Sequence, residues 1–396
     1  MSVTSPLSEN SVGNKRLSSK RRREILSLLI GIMVLAMAFR IASLGQNQRY
    51  EDFDTYYYGA LVERTGSYTE VDRAVNLAKA ANRSVSHEGA YGSPALVALL
   101  FVPMSFLPLD AAHAIWDITV LSLILVISRR VGGRNWLLLL CALALCRSMS
   151  LGMQLANAGL LTFVLVAWSF ASIRDRKHTT AGIALGTAIA MKLYPGFLIV
   201  PLIATRRWKT AGVALLVALG ETLLAVPILT YDDAIKAYSA LVRLGGYVHP
   251  HIENVSLAGA ARHLGVDQSD AKIFSIVLTL CSWALIVALR SPKPERTFAL
   301  AACLMVAAGS LTWPVYLLVT LLYIFAIQEE TFQTKTWVGI CTLLCVGSLP
   351  LVMAFLTLLP NARPPWLQIV GLVMLCATAI GVEERDRRRR RQISAA

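Results

Sequence analysis

Apolar stretches separated by short polar connections run through most of the chain. Many approach the ~20 residues that an α-helix needs to cross the hydrocarbon core of a bilayer. The pattern predicts an all-α, polytopic integral membrane protein, a helical bundle with about 11–13 membrane segments. The stretches lie at roughly 25–45, 93–108, 111–129, 135–150, 155–173, 179–191, 193–204, 209–229, 268–289, 296–311, 313–328, 335–357 and 365–382.

One of these regions, 179–204, is predicted to be two short helices that meet at Lys192-Leu193-Tyr194-Pro195. Each piece has ~12 residues and spans ~18 Å, which is too short to cross the membrane alone. Broken helices are tolerated at membrane depth where they line a cavity within the protein. A single kinked span remains the alternative.

Composition and charge agree with a membrane location. Hydrophobic residues make up 56% of the chain and charged residues 16%, whereas soluble proteins carry about 25% charged residues. The net charge of +14 does not indicate nucleic-acid binding, because basic residues concentrate near the two ends. That distribution is typical of cytoplasmic termini, and it also attracts anionic membrane lipid. The basic residues are Lys15, Arg16, Lys20, Arg21, Arg22, Arg23, Arg385 and Arg387 to Arg391.

A single transmembrane domain is expected over 25–382, between a basic cytoplasmic tail at 1–24 and an Arg-rich cytoplasmic tail at 383–396. Two hydrophilic stretches, 46–92 and 231–267, are expected to be extracytoplasmic loops. The first has more carboxylates than basic residues, a balance suited to the outside. We therefore expect a multi-pass protein of the bacterial cytoplasmic (inner) membrane with both termini cytoplasmic.

The second loop contains a candidate surface helix at 232–244. Ile235, Tyr238 and Leu241 recur there every three residues. This spacing predicts a short amphipathic helix that lies on the membrane surface.

Metal chemistry is not predicted. All seven cysteines lie in apolar stretches, where they are expected to be buried small hydrophobic residues. His249, His251 and Glu253 are close in sequence, but they lack helical i, i+4 spacing and Pro250 interrupts them. A sugar or phosphate contact from His251 and an ordinary loop are the other interpretations.

An acidic-aromatic cluster at 52–58 follows the first apolar stretch and holds Asp52 and Asp54 among phenol rings. In an extended segment the two carboxylates would share one side, and in a helix they would diverge. A carboxylate near an apolar membrane surface becomes more basic, as general-base catalysis requires. Helix capping or solvation at the end of the first span explains the same residues without catalysis.

Several blocks of this sequence resemble glycosyltransferase family 87 of the GT-C superfamily, the polyprenol-phosphate-mannose-dependent mannosyltransferases. The first is the Asp-Phe-x-x-Tyr-Tyr pattern that begins at Asp52. The blocks follow the family order over roughly 25–330, and their order and spacing together make the match specific. The others are Tyr91 to Leu96 with Val102 to Pro108, Gln154 to Leu161, Met191 to Pro195 with Arg206 to Trp208, Asn254 to Leu257, and Ser310 to Trp313.

The chain departs from the family pattern in three places. Ser93 replaces the first proline of a Tyr-Pro-Pro element, and the Gln-x-Asn element around Asn157 has its spacing shifted by one. Relatives often place a histidine soon after the Ser-x-x-Trp element, whereas Pro314 and Tyr316 are among the residues that follow here. A histidine contact to the donor is therefore not expected at that position.

The resemblance implies a GT-C-type bundle with extracytoplasmic interface helices and an inverting transfer of a hexose. The donor would be a β-linked polyprenyl-phosphate sugar, with mannose favoured, and no cofactor would be required. The acceptor would be a hydroxyl of a lipid-linked or envelope glycan on the extracytoplasmic face. Asp52 matches the family aspartate and is the expected base, with Asp54 as second choice.

A cation is needed where charge develops on the leaving phosphate, and Lys192 is the candidate. The competing interpretation for Lys192 is that its side chain snorkels to the membrane interface. Snorkelling is the favoured interpretation for Arg40. Otherwise Arg40 and His251 could bind the donor phosphate. The remaining candidates would bind substrate, although an aromatic belt explains the rings equally well. They are Tyr56, Tyr57, Tyr91, Gln154, Asn157, Tyr194, Asn254 and Trp313.

Two other functions are compatible with a membrane bundle. A transporter or flippase of lipid-linked sugars should show an internal repeat with paired interrupted helices, and only the interruption near Lys192 is evident. A non-catalytic assembly subunit would tolerate substitution of Asp52 and Lys192.

Overall fold

A computed structural model gives the fold of this chain over eight ranges. No strand is present in these ranges, and an isolated antiparallel bridge joins Cys146 to Ser348. The all-α prediction is therefore confirmed for the part of the chain that is described. The ranges are 24–34, 51–65, 71–83, 95–225, 239, 247–251, 253–348 and 364–395.

The helices follow one another with short connections. The α-helices up to the broken region are α1 Glu24–Val34, α2 Glu51–Thr65, α3 Val71–Ala80, α4 Ala95–Phe101, α5 Leu109–Gly132, α6 Trp136–Ala144, α7 Arg147–Gln154, α8 Gly159–Arg174 and α9 His178–Met191. The later ones are α10 Ile199–Ala204, α11 Trp208–Ala225, α12 Leu257–His263, α13 Gln268–Leu289, α14 Pro294–Ala308, α15 Leu321–Ala326, α16 Phe332–Cys345 and α17 Pro364–Ala395. Short 3₁₀-helices lie at Pro103–Phe106, Gly133–Asn135, Tyr194–Leu198 and Pro314–Thr320.

Three helical segments among the described residues are long and apolar enough to cross a membrane: Leu109–Ala144, Gln268–Leu289 and Pro365–Ser394. The first joins α5 to α6 through a 3₁₀ turn. Shorter apolar helices accompany them, which agrees with a helical membrane protein that contains partial segments. The total of 11–13 segments stays a prediction. The shorter helices are Glu24–Val34, Gly159–Arg174, Tyr194–Ala204 and Pro314–Ala326.

Helix α14 lies at the centre of the bundle. Every residue of α14 except Glu295 is buried, against α8, α13, α15 and α17. Helix α13 instead exposes an apolar face that includes Ile273, Val277 and Leu280. Such a face suits contact with lipid acyl chains. The core and the lipid boundary are therefore both apolar, and the sequence alone does not separate them.

The cysteines show this ambiguity. Burial is confirmed for Cys146, Cys303, Cys341, Cys345 and Cys376. The same prediction is wrong for Cys281, which is exposed on α13, and Cys141 is half-buried. Both faces of α13 are apolar, so the hydropathy pattern does not distinguish its buried face from its exposed face. The exposure of Cys281 could therefore not be predicted from the sequence.

The break in the 179–204 region is confirmed. Helix α9 ends at Met191, Lys192 has extended backbone angles, and the chain resumes in the 3₁₀-helix Tyr194–Leu198 before α10. The amphipathic helix predicted at 232–244 lies outside the described residues, apart from position 239.

Two glycines allow α9 to approach α11 closely. A Cβ added at Gly182 would lie 2.8 Å from the Thr210 carbonyl oxygen, and one at Gly186 would lie 2.6 Å from the Ala214 carbonyl oxygen. Small residues four positions apart are typical of tightly packed membrane helices. This crossing holds α9, and with it the helix end before Lys192, against α11.

We predict that Gly186→Ala destabilises the protein. The new methyl group would meet the backbone of α11, which cannot move aside as a side chain can. Gly220→Ala on α11 is the matched control, because no atom lies within 4 Å of its Cβ position and alanine favours helix by ~1 kcal/mol. Thermal unfolding in detergent should show a lower midpoint for the first variant only. Equal midpoints for the two variants would contradict the close crossing.

Candidate active site

Helix α2 carries the acidic-aromatic cluster, with Asp52 at its first turn in the described range. The amide of Phe53 donates a hydrogen bond to the Leu155 carbonyl oxygen at 3.2 Å. This bond fastens the start of α2 to the turn between α7 and α8. A helix N-terminus suits a carboxylate, because the backbone amides and the helix dipole are positive there.

The turn between α7 and α8 presents Asn157 to Asp52. Ala156 has a positive φ of 48°, which is uncommon for a residue with a Cβ. The Nδ2 group of Asn157 donates to Asp52 Oδ2 at 2.5 Å, and its Oδ1 accepts from the Gly159 amide at 2.5 Å. These two bonds fix which way the buried amide points. Asn157 therefore orients the Asp52 carboxylate.

Gly159 leaves the space that this arrangement requires. A Cβ at this position would lie 2.7 Å from Asn157 Oδ1 and 3.1 Å from Cε1 of Tyr316. A side chain here would displace the amide or the ring. The first residue of α8 thus has to be small for Asn157 to reach Asp52.

The helix break brings Lys192 to the same place. Its backbone is extended, with φ −149° and ψ 126°, and its amide closes α9 by donating to the Ala188 carbonyl oxygen. The half-buried ammonium group interacts electrostatically with the Asp52 carboxylate. A carboxylate from α2 and a cation from the broken helix therefore face one region of the protein.

Two stacked tyrosines flank this pair. The rings of Tyr194 and Tyr316 are 4.4 Å apart with an interplanar angle of 24°, and the charge of Asp52 acts on Tyr316. The Tyr194 hydroxyl is buried and has no hydrogen-bond partner among the described residues. Because buried polar groups are normally satisfied, this hydroxyl suits a ligand group. Tyr316 is not among the site residues predicted from the sequence, although it lies one 3₁₀ turn after Trp313.

Asp54 belongs to a different cluster. The helix turns it away from Asp52, and it is buried with Oδ1 3.1 Å from Nε2 of His113 and Oδ2 4.0 Å from Arg83. The Phe53 ring packs on His113 at 4.0 Å. The segment that carries Asp52 and Asp54 is therefore helical rather than extended, and the two carboxylates diverge. Asp52 alone lies with Asn157 and Lys192, whereas Asp54 is engaged in fixing α2.

Tyr56 and Tyr57 are buried packing residues in this structure. Tyr56 contacts Phe101 at 5.1 Å, and the Tyr57 hydroxyl donates to the Leu107 carbonyl oxygen at 2.7 Å. These contacts hold α2 against α4 and the following 3₁₀-helix. Their predicted contact with substrate stays a prediction.

A second region, distinct from the one around Asp52, contains the predicted residues Asn254, His251 and Trp313. Asn254 is fully buried, and its amide donates to the carbonyl oxygens of His249 and Ser310. It therefore joins two chain segments, which accounts for its amide hydrogens without a substrate. The exposed His251 ring packs edge-on to Trp313 at 5.3 Å.

Three predicted residues remain: Gln154, Arg40 and Tyr91. The Gln154 amide nitrogen donates to Ser150 Oγ at 3.4 Å, within α7. Arg40 and Tyr91 lie outside the described residues. Substrate or phosphate binding by these three stays a prediction.

The arrangement can support displacement chemistry. A fixed carboxylate can accept a proton, and a nearby ammonium group can offset negative charge that develops on a leaving group. Both residues are only partly exposed to solvent, and reduced solvation strengthens such electrostatic effects.

The profile of Glycosyltransferase family 87 matches residues 93–320, which is more than half of the chain. No curated protein matches the chain. The matched region includes Asn157, Lys192 and Tyr316, and it ends with the 3₁₀-helix that carries Tyr316. On this evidence the chain belongs to glycosyltransferase family 87, a family of membrane glycosyltransferases.

Proposed function

We propose that this protein moves a hexose, with mannose as first choice, from a polyprenyl-phosphate sugar to a hydroxyl of a lipid-linked or envelope glycan. The observation that supports the proposal is the Asp52 carboxylate, which accepts a hydrogen bond from Asn157 and attracts the charge of Lys192. Transfer from a phosphate-linked sugar needs a base at the acceptor and positive charge at the leaving group. Family membership supports sugar transfer as the reaction class.

Asp52 is assigned as the general base. The acceptor oxygen attacks the anomeric carbon on the face opposite the phosphate, and its proton passes to the Asp52 carboxylate. The new carbon–oxygen bond forms as the bond between the anomeric carbon and the phosphate oxygen breaks, so that a β-linked donor gives an α-linked product. Asn157 is a positioning residue, because it orients the carboxylate through one hydrogen bond.

Lys192 is assigned to the leaving group. The electron pair of the breaking bond stays on the phosphate oxygen, so a phosphodiester becomes a phosphomonoester with an additional negative charge. An ammonium group beside that oxygen lowers the energy of this charge as it forms. Before the donor enters, Asp52 compensates the charge of Lys192, which limits the cost of a charge in an apolar setting.

The broken helix also supplies the donor pocket in this proposal. The buried Tyr194 hydroxyl, which has no partner among the described residues, would donate to a sugar or phosphate oxygen. The stacked Tyr316 ring would support it from the other side. The apolar groove for the prenyl chain would continue along the neighbouring helices.

We propose an extracytoplasmic site in the bacterial inner membrane, with both termini cytoplasmic. The acidic balance of 46–92 and the basic ends of the chain support this orientation. Lys192 provides the phosphate compensation in this scheme, so no cofactor is assigned.

We predict that Asp52→Asn lowers kcat for sugar transfer by ~10²-fold or more, because the amide cannot accept the acceptor proton. Purified protein in nanodiscs would be assayed with polyprenyl-phosphate mannose and extracted membrane glycolipids. Asp270→Asn is the matched control, since Asp270 is an exposed carboxylate in the first turn of α13. Unchanged transfer by the Asp52 variant would refute the base assignment. Absence of transfer by the wild-type protein would refute the donor assignment.

A second prediction concerns the leaving group. Lys192→Met should reduce kcat by ~10²–10³-fold, and Lys192→Arg should retain part of the activity because it keeps the charge. Lys209→Met removes an exposed lysine of α11 and should have no effect. A sugar-phosphate donor with a more acidic leaving phosphate should partly restore the methionine variant. Equal losses in the arginine and methionine variants would contradict a charge-based role.

A further inference from the structure

A loop near the candidate active site exposes a group of rings. Tyr247 contacts His249 with ring centroids 5.7 Å apart, His249 contacts His251 at 6.0 Å, and His251 contacts Trp313 at 5.3 Å. Tyr247 is 40% exposed, and the His251 ring also lies at the surface. We call these four residues the ring cluster. Rings exposed together in this way can contact the apolar face of a ligand.

Buried residues at both ends hold the ring cluster in place. Val248 is fully buried with Ala258 and Ala271. At the other end, Asn254 joins the loop to the segment that carries Trp313, through its bonds to the His249 and Ser310 carbonyl oxygens. The rings are therefore presented by a fixed scaffold, as in a preorganised binding surface.

Backbone hydrogen bonds favour one tautomer of each neutral imidazole. The His251 amide donates to His249 Nδ1, and the Glu253 amide donates to His251 Nδ1, both at 3.1 Å. A ring nitrogen that accepts a hydrogen bond carries no proton, so the hydrogen of each neutral ring is on Nε2. His251 thus offers an N–H donor at the surface, beside the face of Trp313.

Glu253 adds an acceptor next to these donors. Its Oε1 accepts from Arg147 Nη2 at 2.6 Å, whereas its Oε2 is buried without a hydrogen-bond partner in the described residues. Because Arg147 neutralises this carboxylate, the Oε2 atom offers a hydrogen-bond acceptor for a hydroxyl group rather than a net negative charge. Aromatic faces, an N–H donor and a carboxylate acceptor are together suited to a pyranose ring.

The ring cluster is linked to the proposed reaction centre by one turn of chain. The Trp313 carbonyl oxygen accepts from the Tyr316 amide at 2.9 Å, and Tyr316 lies within the electrostatic influence of Asp52. The backbone of Trp313 is therefore one turn of chain away from a ring on which the charge of Asp52 acts.

We propose that the ring cluster, with Glu253, is a subsite for a pyranose ring of the acceptor. This inference rests on the proposed function and deepens it, because it names the residues that would bind a sugar ring of the glycan acceptor. It also replaces the sequence-based role of His251 at the donor phosphate.

The test is the direct binding of methyl α-mannopyranoside to the full chain in nanodiscs, measured by saturation-transfer NMR. Loss of one stacking partner should weaken binding about tenfold in Trp313→Leu. Trp337→Leu removes an exposed tryptophan of α16 and should not change it. His251→Asn keeps an acceptor for the Glu253 amide but loses the imidazole ring and the donor at its Nε2 position, and it should also weaken binding. Lys192→Met should bind the glycoside as the wild type does.

The outcomes separate this inference from the proposed function. Binding that depends on Trp313 and His251 supports the subsite, whether or not transfer from a polyprenyl-phosphate donor is observed. The subsite is refuted if the wild type gives no saturation transfer, or if the Trp313 and Trp337 variants bind equally. It is also refuted if His251→Asn weakens the binding of inorganic phosphate and leaves glycoside binding unchanged.

Discussion

The electrostatic attraction between Asp52 and Lys192 is the feature on which the proposed site depends. It joins the start of α2 to the break between α9 and the following 3₁₀-helix. A single charge in a largely apolar bundle is costly, and the attraction between the Lys192 and Asp52 charges offsets part of that cost. The pair therefore makes it possible for a membrane protein to keep both a carboxylate and an ammonium group where a polar reaction could occur.

The surrounding bundle serves to hold these groups at fixed positions. Asp52, Asn157, Lys192 and Tyr316 come from four separate parts of the chain. Each is positioned by a local contact or turn. A backbone hydrogen bond to the α7–α8 turn positions the start of α2 with Asp52, and the Gly159 amide fixes the Asn157 side chain. Lys192 is positioned by the end of α9, and Tyr316 by a 3₁₀ turn. The close packing of α9 on α11, and of α14 within the bundle, fixes the positions of these local contacts relative to one another. Chemistry at this site thus depends on packing far from it.

Much of this could be predicted from the sequence, and the remainder has a physical explanation. Apolar periodicity predicted the helices, and the short halves around Lys192 predicted the break. The pairing of Asn157 with Asp52 spans 105 positions, so it depends on how helices pack rather than on any local pattern. The position of Tyr316 and the contact between His113 and Asp54 could not be predicted for the same reason. The lipid-facing side of α13 escaped detection because a membrane protein is apolar both inside and outside.

The most direct test of the central claim is a cryo-EM structure of the protein in nanodiscs with a polyprenyl-phosphate mannose bound. We predict that the phosphate contacts the Lys192 ammonium group and that the anomeric carbon faces the Asp52 carboxylate across a space large enough for an acceptor hydroxyl. Density for the phosphate at any place out of contact with Lys192, with Asp52 remote from the sugar, would contradict the account.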